Sequence, residues 1–230
     1  MEILHKIRLE IKRIKAILKL IRFTQQNFRM HNTYKPLRTI FRKAGLIRES
    51  LVFQNLLSHY APNNTIDELL LLPTPKTISG FRKNIPHYLT SVKKIGKVID
   101  RACKKVKTIE VLHCIQKLKN TVRKRLHPAP NLSALHAARK SCKAIVYLSA
   151  TLKNRKNILP PFFAEMAMLI GSWHDKKYVI HILSARGIPQ EEIIHKIELA
   201  CENDLVHIQE LATHYYGLRV RQGLGEAKAV

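Results

Sequence analysis

The chain has 230 residues, 46% of them hydrophobic, with 41 lysines and arginines against 16 aspartates and glutamates. This hydrophobic fraction excludes a disordered basic tail, and the length suits one large domain or two of about 100 residues. No apolar run approaches the roughly 18 residues that span a bilayer, and frequent charges near the N-terminus exclude a signal peptide.

Charge is distributed unevenly along the chain. Residues 1–164 contain 34 Lys and Arg against 7 Asp and Glu, whereas residues 165–230 contain 7 against 9. A balance of +27 in the first segment predicts attraction to a polyanion: nucleic acid, an anionic membrane surface or polyphosphate. A solvated basic surface without a specific partner is the alternative. Four cysteines without a C-x-x-C pair favour a reducing cytoplasm and predict neither disulfides nor a zinc site.

Helical periodicity runs through nearly the whole chain. A capping box at Thr65 and Glu68 predicts a short helix, and His127-Pro-Ala-Pro130 is the clearest hinge. Gly45 and Gly171 are expected to separate neighbouring helices. The other predicted helices span residues 3–29, 34–44, 46–60, two within 81–126, 133–154, 161–171, 173–186 and 189–216. No segment alternates apolar and polar residues long enough for a strand, so the chain is predicted to be all-α.

Two motifs occur once on each side of the hinge. His-x-x-Arg-x-x-x-Lys occurs as His5, Arg8 and Lys12 and as His136, Arg139 and Lys143. Gly-x-x-(Arg/His)-(Asp/Glu) occurs as Gly45, Arg48 and Glu49 and as Gly171, His174 and Asp175. The shared order and spacing predict an internal repeat. Its halves would span about 1–107 and 108–217, followed by a flexible tail at 218–230.

Helical geometry places the residues of the first motif on one stripe, because positions i, i+3 and i+7 share a helix face. This cation stripe continues along the first helix as His5, Arg8, Lys12, Lys15, Lys19 and Arg22. The acids of this helix, Glu2 and Glu10, lie off the stripe. Like charges along one face repel, so their alignment favours a linear polyanion as the partner. The alternative is a surface that tolerates its charges.

The helix after the hinge has a thinner stripe, with Tyr147 adding a phenol that can donate to an anionic oxygen. Cys142 on the same helix is expected to be a small core residue and not a nucleophile. A further basic row, at spacings i, i+4, i+8 and i+11, consists of Lys93, Lys97, Arg101 and Lys104.

These motifs resemble those of the conserved histidine α-helical domain, CHAD, over roughly residues 3–60 and 109–215. The resemblance implies two pseudo-symmetric helical bundles around a basic groove or pore that binds inorganic polyphosphate without catalysis. It implies that the binding residues include His5, Arg8, Lys12, Lys15, His136, Arg139, Lys143 and Tyr147. The cation stripe adds Lys19 and Arg22 to the predicted polyphosphate-binding residues. Further candidates are Arg13, Arg38, Arg48, Lys97, Arg101, Lys104 and His174. A cytoplasmic location, with association with polyphosphate granules, is a further expectation.

The sequence also bears on four other functions: catalysis, metal binding, nucleic-acid binding and membrane binding. The chain has no Walker motif and no acidic cluster for a two-metal site, so no enzyme and no cofactor are predicted. His174 and Asp175 are adjacent, point about 100° apart and are not expected to converge on a metal. Nucleic acid is the main alternative partner, although no aromatic residues interleave with the stripe to stack bases. Residues 3–29 could also form a basic amphipathic helix at a membrane surface.

Overall fold

A computed structural model describes residues 2–60, 75–128, 130, 132–152, 161–185 and 191–226. Within these residues the chain forms eight α-helices and no strand, which confirms the all-α prediction. The helices are α1 (Glu2–Thr24), α2 (Met30–Tyr60), α3 (Pro75–Lys83), α4 (Ile85–Cys103), α5 (Thr108–Leu126), α6 (Leu132–Ser149), α7 (Phe162–Ala185) and α8 (Glu191–Glu226). None of the helices in the described part of the chain combines the length and apolarity that a bilayer span requires.

The chain divides into two compact units, Met1–Cys114 and Ile115–Val230, and the boundary falls within α5. The boundary expected from the repeat, between residues 107 and 108, lies at the N-terminus of that helix. In the first unit α1 packs on α2 and α4, and α3 packs on α2 and α4. In the second unit α7 packs on both α6 and α8.

The core of the first unit uses the apolar stripe of α1. Ile11 is buried in a cluster with residues of α2, α3 and α4, and Leu18 and Ile21 pack with Ala102 of α4. Each such aliphatic side chain contributes about 1.5–3 kcal/mol when it is fully buried. The apolar stripe of α1 is therefore used to hold the bundle together, which leaves its cation stripe on the adjacent face.

The second unit has a core of large aliphatic and aromatic side chains. The largest fully buried ones include Leu135, Ile145, Leu148, Phe163, Met166, Ile170 and Leu183. Lys176 of α7 and Asp204 of α8 form a mostly buried ion pair with 2.8 Å between Nζ and Oδ2. Cys142 is fully buried, and burial raises the pKa of its thiol to about 12. The prediction that Cys142 is a core residue is confirmed.

Several helix bounds differ from the prediction. Gly45 and Gly171 lie inside α2 and α7, so each pair of helices predicted around a glycine is one helix. A glycine in a helix interior costs about 1 kcal/mol relative to alanine, which is too little to end a well-packed helix. The first helix ends at Thr24 instead of residue 29, and α8 continues to Glu226, beyond the predicted start of the tail. The predicted capping box at residues 65–68 lies outside the described residues.

Candidate anion-binding sites

Two of the sequence motifs meet where α6 packs on α7. The imidazole of His136 stacks on that of His174, with 5.0 Å between ring centroids and 26° between ring planes. One turn further along α6, the guanidinium of Arg139 lies against Gly171. The contacts pair a later residue of α6 with an earlier residue of α7, so the two helices run antiparallel here. The helix packing thus brings the two motifs together as the α6–α7 cluster: His136, Arg139, Gly171 and His174.

Gly171 makes room for the guanidinium of Arg139. A β-carbon at this position would lie 2.8 Å from Nη2 of Arg139 and 3.2 Å from its Cζ and Nε. Real β-carbons essentially never approach another heavy atom as closely as 2.8 Å, so any larger residue would displace the arginine. The Nε atom of Arg139 is buried and has no hydrogen-bond partner among the described residues. The glycine therefore positions a cation whose hydrogen-bonding capacity is only partly used.

The α6–α7 cluster is electrostatically positive. Desolvation lowers the pKa of His136 below its ordinary 6.5, and the charges of Lys140, His174 and Arg139 lower it further. At neutral pH His136 is therefore mostly a neutral imidazole beside permanent cations. A negatively charged ligand would reverse this effect, because it favours the protonated imidazole. The cluster can thus accept an anion and a proton together.

An acid also lies at the edge of the cluster. Nδ1 of His174 and Oδ1 of Asp175 are 3.6 Å apart. Rotation about the side-chain bonds allows this distance although the Cα–Cβ directions of the two residues differ by about 100°. Among the described residues, no group of three or more His, Cys, Asp or Glu side chains is arranged to hold a metal ion.

In the first unit, the cations of the stripe lie over aromatic rings of α2. Cζ of Arg8 is 4.1 Å from the centroid of the Phe41 ring, and Nζ of Lys12 is 5.7 Å from the same centroid. Nζ of Lys15 is 4.9 Å from the ring centroid of Tyr34. An aromatic face attracts a cation through its quadrupole without neutralising the charge. The rings therefore hold these three cations against α2.

Arg8 makes a second contact with α2. Its Nη1 donates a hydrogen bond of 3.0 Å to the backbone carbonyl of Phe41. A helix carbonyl points towards the residue four positions later, and that residue is the buried Gly45. Each motif arginine thus reaches the neighbouring helix close to the motif glycine of its own unit.

The remaining predicted residues differ in exposure. Exposed positions are His5, Arg13, Lys19, Arg22, Arg38, Lys97, Arg101 and Lys104. Half-buried positions are Arg48, Lys143 and Tyr147. Arg13 forms an ion pair with Glu10, which is consistent with its position off the stripe. The side chain of Glu49 lies outside the described residues.

Sequence reasoning missed Phe41, Tyr34 and Lys140. The two aromatic residues are seven positions apart and therefore lie on one face of α2, a signal that the sequence does contain. Burial raises the pKa of Tyr34, so its ring faces Lys15 as a neutral phenol. Lys140 follows Arg139 directly and adds to the positive field at His136.

The fold and these sites define an all-α protein with cations gathered at a helix–helix contact in each unit. Comparison of the chain with protein-family models, with curated proteins and with solved structures found no match. Its function is therefore inferred from its own residues and their contacts.

Proposed function

We propose that the chain is a CHAD-like protein that binds inorganic polyphosphate through the cationic faces of α1 and α6. The observation that carries this proposal is the α6–α7 cluster, where Arg139, His136 and His174 lie together beside Lys140. The internal repeat, and two pseudo-symmetric helical bundles around a basic groove or pore, are parts of the same proposal. So are a cytoplasmic location and association with polyphosphate granules. We assign no catalytic residue.

The chemistry of polyphosphate suits these helix faces. The polymer carries about one negative charge per phosphate and has no base to recognise, so spaced cations with charge-assisted hydrogen bonds are sufficient to bind it. The stripe from His5 to Arg22 extends about 25 Å along α1 at 1.5 Å per residue. It could contact several consecutive phosphates. At the α6–α7 cluster, the half-buried Arg139 adds a positive charge next to the exposed His136 and Lys140.

Competitive calorimetry tests the proposal against nucleic-acid binding. Long-chain polyphosphate, short-chain polyphosphate, tRNA and duplex DNA are titrated into one preparation at about 150 mM salt, where weak phosphate contacts are screened. We expect tight binding that increases with polyphosphate length and displaces both nucleic acids. Equal or tighter binding to tRNA or DNA would make the protein a non-specific nucleic-acid binder. The absence of polyphosphate binding would refute the proposal.

The replacement Gly171→Ala is expected to lower polyphosphate affinity about tenfold, or ~1.4 kcal/mol, while helix stability changes little. The new methyl group displaces the Arg139 guanidinium, which it would otherwise approach to 2.8 Å. The intrinsic helix preference for alanine, about 1 kcal/mol, offsets part of the clash. Calorimetry measures affinity, and thermal unfolding followed by circular dichroism measures stability.

Gly217→Ala is the matched control for this replacement. It makes the same chemical change inside α8, where a β-carbon would meet no described atom within 4 Å. Its affinity should equal that of the unmodified chain. If Gly171→Ala retained full affinity with an intact fold, the position of Arg139 would not matter for binding.

The affinity for polyphosphate is expected to rise as the pH falls. The pKa of His136 is lowered in the free protein, and a bound phosphate beside it should raise that pKa. At any pH between the free and the bound pKa, binding is therefore accompanied by uptake of a proton. Affinity increases as the pH falls through this window and levels off below the pKa of the free protein. Calorimetry in two buffers of different ionisation enthalpy measures the proton uptake. The variant His136→Gln should take up fewer protons on binding. If its proton uptake were unchanged, a group other than His136 would be responsible for the pH dependence.

A further inference from the structure

One side of α4 presents aligned apolar side chains to solvent. Ile85, Leu89 and Val92 are 42%, 56% and 40% exposed. Their spacing of i, i+4 and i+7 places them on one stripe. The exposed cations Lys93, Lys97 and Arg101 form a second stripe beside it. These six residues are called the α4 surface.

Polyphosphate does not account for the α4 surface. The polymer has no apolar groups, so it gains nothing from Leu89 and its neighbours. Isolated apolar residues are common on protein surfaces, but three in line beside a row of cations indicate a protein or lipid partner. The partner should combine apolar side chains with negative charge.

The chain carries such a partner surface itself, on α8. Leu199 and Val206 are 48% and 53% exposed, and Glu202 and Glu210 are exposed as well. Their positions, i, i+3, i+7 and i+11, form one stripe, here called the α8 surface. Residues 191–217 contain six acids and a single lysine. The α8 surface is thus complementary to the α4 surface in both charge and apolar character.

We propose that the chain forms a homodimer in which the α4 surface of one copy packs on the α8 surface of the other. Stable interfaces bury about 1,200–2,000 Å² in total. One pair of helices is a small contact on this scale. A two-fold arrangement makes the contact twice, because α8 of the first copy then meets α4 of the second. On this inference Lys97 and Arg101 face the second copy and not polyphosphate.

Charge exchange between the two surfaces tests the dimer. One variant carries Lys97→Glu and Arg101→Glu, and the other carries Glu202→Lys and Glu210→Lys. Each variant alone would place like charges opposite each other, so each should be monomeric in sedimentation velocity under conditions where the unmodified chain dimerises. Mixing the two variants restores opposite charges at both contacts and should restore the dimer.

The control is Arg82→Glu with Lys83→Glu, two exposed positions on α3 that give the same charge change as the α4 variant but lie outside the α4 surface. It should dimerise like the unmodified chain, and circular dichroism should show equal helicity in all variants. A monomeric unmodified chain at every accessible concentration, or no dimer on mixing, would overturn the inference. A monomer that binds phosphatidylserine vesicles through Leu89 would identify a lipid surface instead. All measurements omit polyphosphate, so they are independent of the proposed function.

Discussion

Replacement of both Arg8 and Lys12 by glutamate should lower the affinity for long-chain polyphosphate by about 100-fold. A hydrogen bond to a charged group contributes about 1.5–3 kcal/mol. Because 1.4 kcal/mol corresponds to a tenfold change in affinity, the loss of each cation should weaken binding at least about tenfold. Both side chains lie over the Phe41 ring, which orders them without cancelling their charge. Calorimetry with the four polyanions measures the loss.

Loss of structure must be separated from loss of binding. Arg8→Glu removes the hydrogen bond to the Phe41 carbonyl, so the melting temperature should fall slightly while helicity at room temperature persists. The control is Lys6→Glu with Lys94→Glu, which changes the net charge equally away from the stripe. A comparable loss in this control would show that overall charge alone attracts the polymer. Full affinity in the folded Arg8 and Lys12 variant would show that the stripe is not the binding site.

The helices and the core of the first unit were predictable because they depend on local periodicity. The apolar residues of α1 recur every three or four positions, and the buried Ile11, Leu18 and Ile21 are among them. The same periodicity separates the cation stripe from the buried face. Periodicity does not identify the ligand of the cation stripe, so polyphosphate binding stays a prediction.

The glycines show where local reasoning failed. Gly45 and Gly171 were predicted to break helices, because glycine has low helix propensity. Their actual surroundings depend on side chains far away in sequence: Arg139 occupies the space at Gly171, and Arg8 reaches the carbonyl one turn before Gly45. A residue whose role is to leave space for a distant side chain carries no periodic signal.

The contact between the rings of His136 and His174 also lies beyond local reasoning. These residues are 38 positions apart, and their contact requires α6 and α7 to pack antiparallel in one register. The motifs marked both histidines as candidates, but only the packed helices reveal the 5.0 Å stacking. The lowered pKa of His136 follows from this packing and from the adjacent Lys140 and Arg139.

Arg139→Glu in the second unit should reduce the affinity for long-chain polyphosphate to a similar extent as the double replacement on α1. The change removes a partly buried cation whose Nε has no partner among the described residues. It also places a carboxylate beside His136, which should raise the pKa of that imidazole and can be followed by NMR titration. The new charge would therefore both repel phosphate and occupy the cationic neighbours that bind it. Lys177→Glu, an exposed change in the same unit, is the matched control and should retain affinity.

The dependence on polymer length makes the Arg139 prediction specific. If one polyphosphate chain engages both α1 and α6, the second contact forms at a high effective concentration, and its loss weakens long chains more than short ones. A short chain can contact only one of the two cation groups. Arg139→Glu should therefore weaken only those short chains that bind near Arg139, and leave those that bind on α1 unaffected. A loss with the α1 replacements but none with Arg139→Glu would mean that one polyphosphate chain does not engage both α1 and α6. Equal losses for short and long chains would lead to the same conclusion, because avidity would then make no contribution.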